Sequence, residues 1–266
     1  MKIQVMGILN VTPDSFFAAS RKQTEKDIVE RVHQMMDEGA DMIDVGAYSS
    51  RPNAAFVSED EELQRMRFGL EILFREAPNA VVSVDTFRAK VARESVEKFG
   101  AAIINDISGF ELDDQMSDTV ADLKVPYILM HIRGNPQSMM EPTNTQYADF
   151  VPDVMNYFKE KIQFLHEKGV TDIWVDPGFG FSKTTDQNYE LLNHLEEFQQ
   201  FGLPVLVGFS RKTMIREVTG VPSEEALNGT TALNMFSLTQ GATILRVHDV
   251  KEAVQTVQLF NKITQR

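Results

Sequence analysis

Eight short apolar runs in this 266-residue chain end on residues able to bind or react: Asn10, Asp44, Asp85, Asn105, His131, Asp176, the trio Ser210-Arg211-Lys212, and Arg246 with His248. A carboxylate at a strand end can accept paired hydrogen bonds from a planar N–C–N donor edge, and a neighbouring amide can meet both donors and acceptors. Asp85, Asn105 and Asp176 therefore suit a pterin or guanine-like ring. Their alternative is internal wiring of the fold, which also shifts charges and fills hydrogen bonds. In Arg246-Val247-His248 the alternation of a strand points both basic side chains the same way, where they suit a phosphate or an ion-pair network with nearby acids.

Asp176 opens Asp176-Pro177-Gly178-Phe179-Gly180-Phe181, whose glycines permit close backbone approach and whose Phe179 or Phe181 suits the face of an aromatic ligand. His131 reads as structural, and the five histidines lack zinc-site spacing. Asn10 offers magnesium a single amide oxygen, so Mg2+ belongs here only if phosphate oxygens and waters complete its octahedron. No Ser-His-Asp order or nucleophile elbow is present, and Lys212 as a Schiff base has no distinguishing local pattern.

Composition narrows the field further. With no cysteine the chain has no disulfide, thiolate metal site or cysteine nucleophile, which suits a cytoplasmic setting. A formal charge of -13 opposes a nucleic-acid surface, so any phosphate is met locally. The start lacks a secretory pattern, and no run reaches the ~18 apolar residues of a membrane span. The acidic clusters Glu59-Asp60-Glu61-Glu62, Glu196-Glu197 and Glu224-Glu225 read as solvated faces or favourable first turns of helices.

The elements that must position these residues alternate. Strands are read at Ile3 to Leu9, Met42 to Val45, Val81 to Val84, Ile103 to Ile104, Tyr127 to Met130, Ile173 to Val175, Val205 to Val207 and Ile244 to Val247. Continuous apolar runs of this length fit strands buried on both faces of a parallel sheet. Helices are read between them, one starting at Thr24 and another at a Ser58/Glu61 capping box, with others at Val91 to Phe99, Met116 to Leu123, Val154 to Leu165, Tyr189 to Phe198, Thr231 to Gln240 and Val250 to Ile263. Eight such units predict one α/β domain over residues 1–266, a (β/α)8 TIM barrel, with an open doubly wound sheet as the rival. Such a barrel gathers the carboxyl ends of its strands onto one face. The long connections are 18–24, 48–57 and 133–148, which suit loops at the mouth.

With these residues in view, the chain resembles the dihydropteroate synthase family along nearly its whole length. The resemblance rests on Met6 to Phe16, Asp44-Val45-Gly46, Ser49 to Pro52, Ser83 to Thr86, Ile104 to Ile107, Asp176 to Phe181, Ser210-Arg211-Lys212 and Arg246 to Val250. It implies a homodimeric (β/α)8 barrel that joins 6-hydroxymethyl-7,8-dihydropterin diphosphate to 4-aminobenzoate. It assigns Asp85, Asn105, Asp176 and Lys212 to the pterin, with Met130 and Phe181 near its ring. Arg246 and His248 go to the diphosphate, Asn10 to magnesium, Ser50, Arg51 and Pro52 to the second loop, and Thr213 to the aminobenzoate. Sulfonamides imitate that second substrate.

The chain departs from the family pattern in three places. Ala18 replaces an acid of the first loop, Tyr48 an acid of the second, and Ser182 a frequent glycine after Phe181. A methyltetrahydrofolate:corrinoid methyltransferase would share the pterin-reading acids without needing the Ser210-Arg211-Lys212 and Arg246/His248 cations. A pterin-binding paralogue without catalysis would fit the altered first loop.

Overall fold

In a computed structural model that describes residues 2–11, 18–49 and 56–265, strands and helices alternate along the chain. The order is β1 (Gln4–Asn10), α1 (Ala18–Asp37), β2 (Met42–Gly46), α2 (Glu59–Glu76), β3 (Val82–Asp85), α3 (Ala89–Phe99), β4 (Ile103–Asp106), α4 (Met116–Leu123), β5 (Tyr127–Met130), α5 (Pro142–Thr145) and α6 (Phe150–Glu167), followed by β6 (Ile173–Asp176), α7 (Thr185–Asn193), β7 (Leu206–Val207), α8 (Thr213–Thr219), α9 (Leu227–Thr239), β8 (Ile244–Val247) and α10 (Val250–Thr264). The eight strands form a parallel sheet in the order β6-β5-β4-β3-β2-β1-β8-β7. A single parallel bridge, Val175 to Val205, brings its two ends together, with Val175 N donating to Pro204 O at 2.9 Å. The expected (β/α)8 barrel is what forms, and the open-sheet rival is set aside.

Two apolar populations account for this closure. Met6, Met42, Ile103, Ile128, Leu206 and Ile244, all buried, pack together as one cluster, and they come from strands β1, β2, β4, β5, β7 and β8. Alternate residues such as Val5, Ile43, Val45, Val82, Val84, Leu129 and Val175 join the larger cluster with the helices. Burial on both faces is why the strands read as unbroken apolar runs rather than as an alternation.

Several elements differ from the sequence expectation. The segment 18–24, expected to be a connection, is the opening of α1, because Ala18, Ala19, Arg21, Lys22 and Gln23 are good helix formers and outweigh the cap signal at Thr24. The Ser58 box is half made: Ser58 Oγ accepts from Glu61 N at 3.3 Å, whereas the Glu61 carboxylate turns to Arg65. The complete box lies instead at Thr184 and Gln187. The single helix expected from Tyr189 to Phe198 divides into α7 and a 3₁₀ stretch, Leu195–Phe201. The connection 133–148 contains α5.

Glu62 corrects the picture of a solvated acidic face. Its neighbours Glu59 and Asp60 do pair with exposed Lys90, but Glu62 is fully buried. Its carboxylate accepts from Arg88 Nη1 and from Thr86 Oγ1, both at 2.5 Å, and Arg88 Nη2 donates to Val57 O at 2.6 Å. Burial pushes the Glu62 carboxyl up, against the bonds from Thr86 and Arg88 that favour its ionised form. The network ties α2, the end of β3 and the segment before α2 behind the mouth. Arg88→Met keeps the bulk but strands a buried carboxylate, so urea unfolding should show a loss of about 3 kcal/mol. Unchanged stability would mean that Glu62 reaches water.

Candidate active site

Strand register sets the levels of the mouth. Asn10 lies opposite Gly46, Gly46 opposite Asp85, and Asp85 opposite Asn105. Across the barrel Met130 lies opposite Asp176. Gly46 leaves room between its neighbours: a Cβ there would lie 3.7 Å from both Asn10 Oδ1 and Asp85 Oδ2. The two side chains therefore flank one gap.

One guanidinium joins two acids at the centre. Arg246 Nε donates to Asp44 Oδ2 at 2.6 Å and Nη2 to Asp85 Oδ2 at 2.7 Å, while Asn105 Nδ2 donates to the same Asp44 oxygen at 3.0 Å. Asp44 is completely buried, yet its Oδ1 and the Oδ1 of Asn105 have no hydrogen-bond partner. Unpartnered buried acceptors cost roughly 1–3 kcal/mol each, and a ligand's N–H groups would relieve that cost. Burial pushes the Asp85 carboxyl up to about 7, against the attraction of Arg246, and the negative charge of Asp44 adds to the rise. The flanking acids raise the Arg246 guanidinium despite its burial. Asp44, singled out in the sequence as a strand end but given no role, is the residue that braces both Arg246 and Asn105.

Lys212 enters from the start of α8. Its ammonium donates to Phe179 O and stands 4.7 Å from the Phe181 ring centroid. Burial lowers its pKa to about 8, against the opposing pull of Asp176. Asp176 is buried, its Oδ1 accepting from Gly178 N at 2.8 Å, and burial raises its carboxyl while Lys212 and the Gly178 N–H oppose the rise. Ile107, Met130, Ile132 and Met139 form a buried apolar group with Phe87 and Phe181 packed on it. Of Phe179 and Phe181, Phe181 is thus the one at the mouth. Phe179 is fully buried against Phe209, with centroids 4.6 Å apart.

His248 is a neutral partner to Arg246. Its Nδ1 lies 3.0 Å from Ser210 Oγ, which also accepts from His248 N at 3.2 Å. Burial, Arg246 and Arg211 lower its pKa to about 4. The expected pair of cations is therefore one cation and one uncharged imidazole near neutral pH, because the arginine that shares its task also opposes its protonation. Arg211 turns away to Asp249, with Nη2–Oδ1 at 2.6 Å and Nε–Oδ2 at 3.3 Å. Thr213 is exposed at the first turn of α8 and accepts from Arg216 at 2.9 Å. Ser50, Arg51 and Pro52 lie outside the described residues.

His131 is buried, and its Nδ1 is 2.9 Å from Nζ of the equally buried Lys183, which the sequence analysis passed over. Nothing in its spacing distinguishes Lys183 from a solvated lysine at the start of a helix. Ser182, where the family often has glycine, keeps a left-handed backbone at φ +47. Its Oγ accepts from Arg133 N at 3.0 Å and its carbonyl from Tyr147 Oη at 2.9 Å. Tyr48, the other described departure, accepts from Gln137 Nε2 at 2.8 Å.

Residues 6–248 match the family described as pterin binding enzyme. The dihydropteroate synthase of Escherichia coli K12 is 43% identical over 257 residues, covering 96% of this chain and 89% of that protein. The dihydropteroate synthase of Yersinia pestis, solved as a sulfonamide drug complex, superposes with a TM-score of 0.90 at 37% identity, over 99% of this chain and 94% of its own. That of Xanthomonas albilineans in complex with 7,8-dihydropteroate gives 0.86 at 35% identity, over 100% and 95% of the two chains.

Two outcomes follow from the site's physical chemistry. Ser182→Ala retains the left-handed strain and orphans Arg133 N, whereas Ser182→Gly removes the strain, so the alanine variant should be about 1 kcal/mol less stable than the glycine variant in urea titrations. Equal stabilities would refute the strain. His248 is held neutral when folded, with a pKa of about 4 against 6.5 for the unconstrained group, so its contribution is complete above 6.5 and is lost as pH falls from 6.5 to 4. His248→Asn should lose about 2 kcal/mol less stability than wild type between pH 7 and pH 5. Parallel melting curves across that range would show His248 to be solvated.

Proposed function

The chain belongs to the pterin-binding enzyme family, and on that premise we propose that its barrel mouth condenses 6-hydroxymethyl-7,8-dihydropterin diphosphate with 4-aminobenzoate to give 7,8-dihydropteroate and diphosphate for folate synthesis. The observation that carries the reading is the contact of Arg246 with Asp44 and Asp85 beside unpartnered Asn105 Oδ1. Acceptors that suit a heterocycle and a cation that suits its leaving group then lie side by side at the strand ends.

Recognition of the pterin comes first. The carboxylates of Asp85 and Asp176 and the free Oδ1 of Asn105 accept from the N–H groups of the pterin edge, Lys212 supplies a donor, and Met130 and Phe181 bound the ring. The C–O bond of the pterin methylene breaks with both electrons passing to the diphosphate, whose oxygens face Arg246 and His248. The methylene is left as a cation delocalised into the ring and stabilised by the fixed carboxylates. The arylamine nitrogen, near Thr213 and the second loop with Ser50, Arg51 and Pro52, then forms the C–N bond and loses a proton to solvent. No covalent enzyme intermediate is needed, and the loops must exclude water from the cation.

Asn10 fits Mg2+ only as a minor ligand. Its Oδ1 opens beside Asp85, and no group of three His, Asp or Glu among the described residues could hold a metal ion. Asn10 would therefore hold an ion that arrives with substrate phosphates, where the ion's charge would stabilise the departing oxygens.

The reading carries a homodimer with it, supported by the exposed apolar Val218, Phe236, Leu259 and Ile263 on α8, α9 and α10. Among the described residues no helix is long and apolar enough to cross a membrane. The lack of cysteine supports a cytoplasmic setting. The -13 charge supports small-molecule substrates over nucleic acid.

Diphosphate release, assayed with both substrates and magnesium and then without the arylamine, tests the reading. Rapid release should require the complete mixture, and a protein that binds the pterin but releases nothing would overturn it. Asp176→Asn should lower kcat/KM for the pterin substrate at least tenfold, about 1.4 kcal/mol, with circular dichroism unchanged. Wild-type kinetics in that variant would take Asp176 out of the site.

A further inference from the structure

One buried charge has no part in the chemistry above. Lys183 is 2% exposed, and its ammonium lies 2.9 Å from His131 Nδ1 and 3.0 Å from both Gly178 O and Phe181 O, with His131 O at 3.5 Å. Three near acceptors match the three N–H bonds of an ammonium. The turn they surround joins Asp176 to Phe181. Phe181 N donates to Gly178 O at 3.1 Å, and Gly178 N to Asp176 Oδ1 at 2.8 Å. On its other side Lys212 holds Phe179 O.

The packing leaves this turn no alternative path. Gly178 has φ +71, and a Cβ there would lie 2.1 Å from His131 O and 3.3 Å from Lys183 Nζ. His131 is itself fixed, its ring edge-on to Tyr157 at 4.8 Å. Without the ammonium, Phe181 O and His131 Nδ1 would be left facing an apolar interior, and the turn would have to move to satisfy them.

From this geometry, and resting on the pterin-condensing reading above, we infer that Lys183 is a positioning residue: by holding the Gly178–Phe181 turn it sets the Asp176 carboxylate and the Phe181 ring against the pterin without touching substrate. Charge adds to geometry. Asp176 faces Lys183 from its own loop, Lys212 from the start of α8 and Arg246 from β8, while Lys183 faces Asp176, Lys212 and His131, the last also beside Arg133. Burial lowers Lys183, and the attraction of Asp176 opposes that. A cation here helps to keep Asp176 ionised, so its removal raises the Asp176 carboxyl.

Lys183→Met and Lys183→Gln, the second retaining two N–H donors, separate these contributions. In an active wild-type background, Lys183→Met should lower kcat/KM for the pterin diphosphate about tenfold, leave the KM for 4-aminobenzoate within about twofold, and move the acid limb of the pH profile upward. Lys183→Gln should recover part of the pterin kcat/KM but keep the displaced limb. Equal losses for both substrates, or an unmoved limb with wild-type pterin kinetics, overturns the inference. Inactive wild type would instead defeat the functional reading on which it rests. If neither variant folds, the 15N resonance of the Lys183 ammonium in wild type decides: 6-hydroxymethyl-7,8-dihydropterin should shift it and 4-aminobenzoate should not, and no shift with the pterin counts against the role.

Discussion

The mouth of this barrel is governed by an imbalance: one guanidinium, Arg246, is shared by the buried carboxylate of Asp44 and the half-buried carboxylate of Asp85. A buried carboxylate costs several kcal/mol to desolvate unless it is matched, and one cation does not fully match two. Asp85 bears the shortfall, its carboxyl pushed up to about 7, while Asp44 spends one oxygen on both Arg246 and Asn105 and leaves the other without a partner. A protein selected for stability alone would put apolar side chains here. The acceptors and the charge they leave unsatisfied become useful when a flat ring with several N–H donors enters together with an anionic leaving group.

The same constraint sets the charge of the flanking groups. Burial, Arg246 and Arg211 lower His248 to about 4 and leave it neutral, whereas half-buried Lys212, lowered to about 8 beside Asp176, keeps its proton near neutral pH. The positive charge facing an incoming diphosphate is concentrated on Arg246, and His248 can accept a proton once an anion offsets its neighbours. Geometry of this kind needs a stiff frame. The strand register supplies it on the side of β1 to β4, and the lysine-held turn after β6 supplies it opposite.

How much of this was legible in the sequence depends on whether a residue's role is local. Asp85, Asn105, Asp176 and Arg246 end apolar runs, and the barrel topology alone brings such ends together, so their convergence could be read without coordinates. Lys183 and Glu62 could not be read. Each sits in a polar stretch of helix-start composition, and each is buried only because a partner distant in sequence, His131 for one and Arg88 for the other, folds over it. The helix opening at Ala18 was obscured by a stronger-looking cap at Thr24, and the split of α7 from its 3₁₀ continuation by an apolar pattern that runs through both. The choice between Phe179 and Phe181 also required packing, since both follow glycine and only one is taken by Phe209.

The two described departures from the family pattern whose side chains are placed, Tyr48 and Ser182, converge on the segment after β5. Tyr48 binds Gln137, and Ser182 binds Arg133 N and Tyr147 Oη, from opposite sides of the mouth. That segment also carries Met139 into the apolar group with Met130 and Phe181. The loss of an acid at 48 and of a glycine at 182 is thus matched by hydrogen bonds that fasten a wall of the cavity, and each bond replaces a freedom the departure removes. Ser182 accepts left-handed strain and returns a bond to the half-buried Arg133 N–H; Tyr48 gives up charge and gains an edge-on contact with Phe87 at 5.2 Å. Substitutions that look like erosion in the sequence preserve the apolar side of the site while shifting which segments hold it in place.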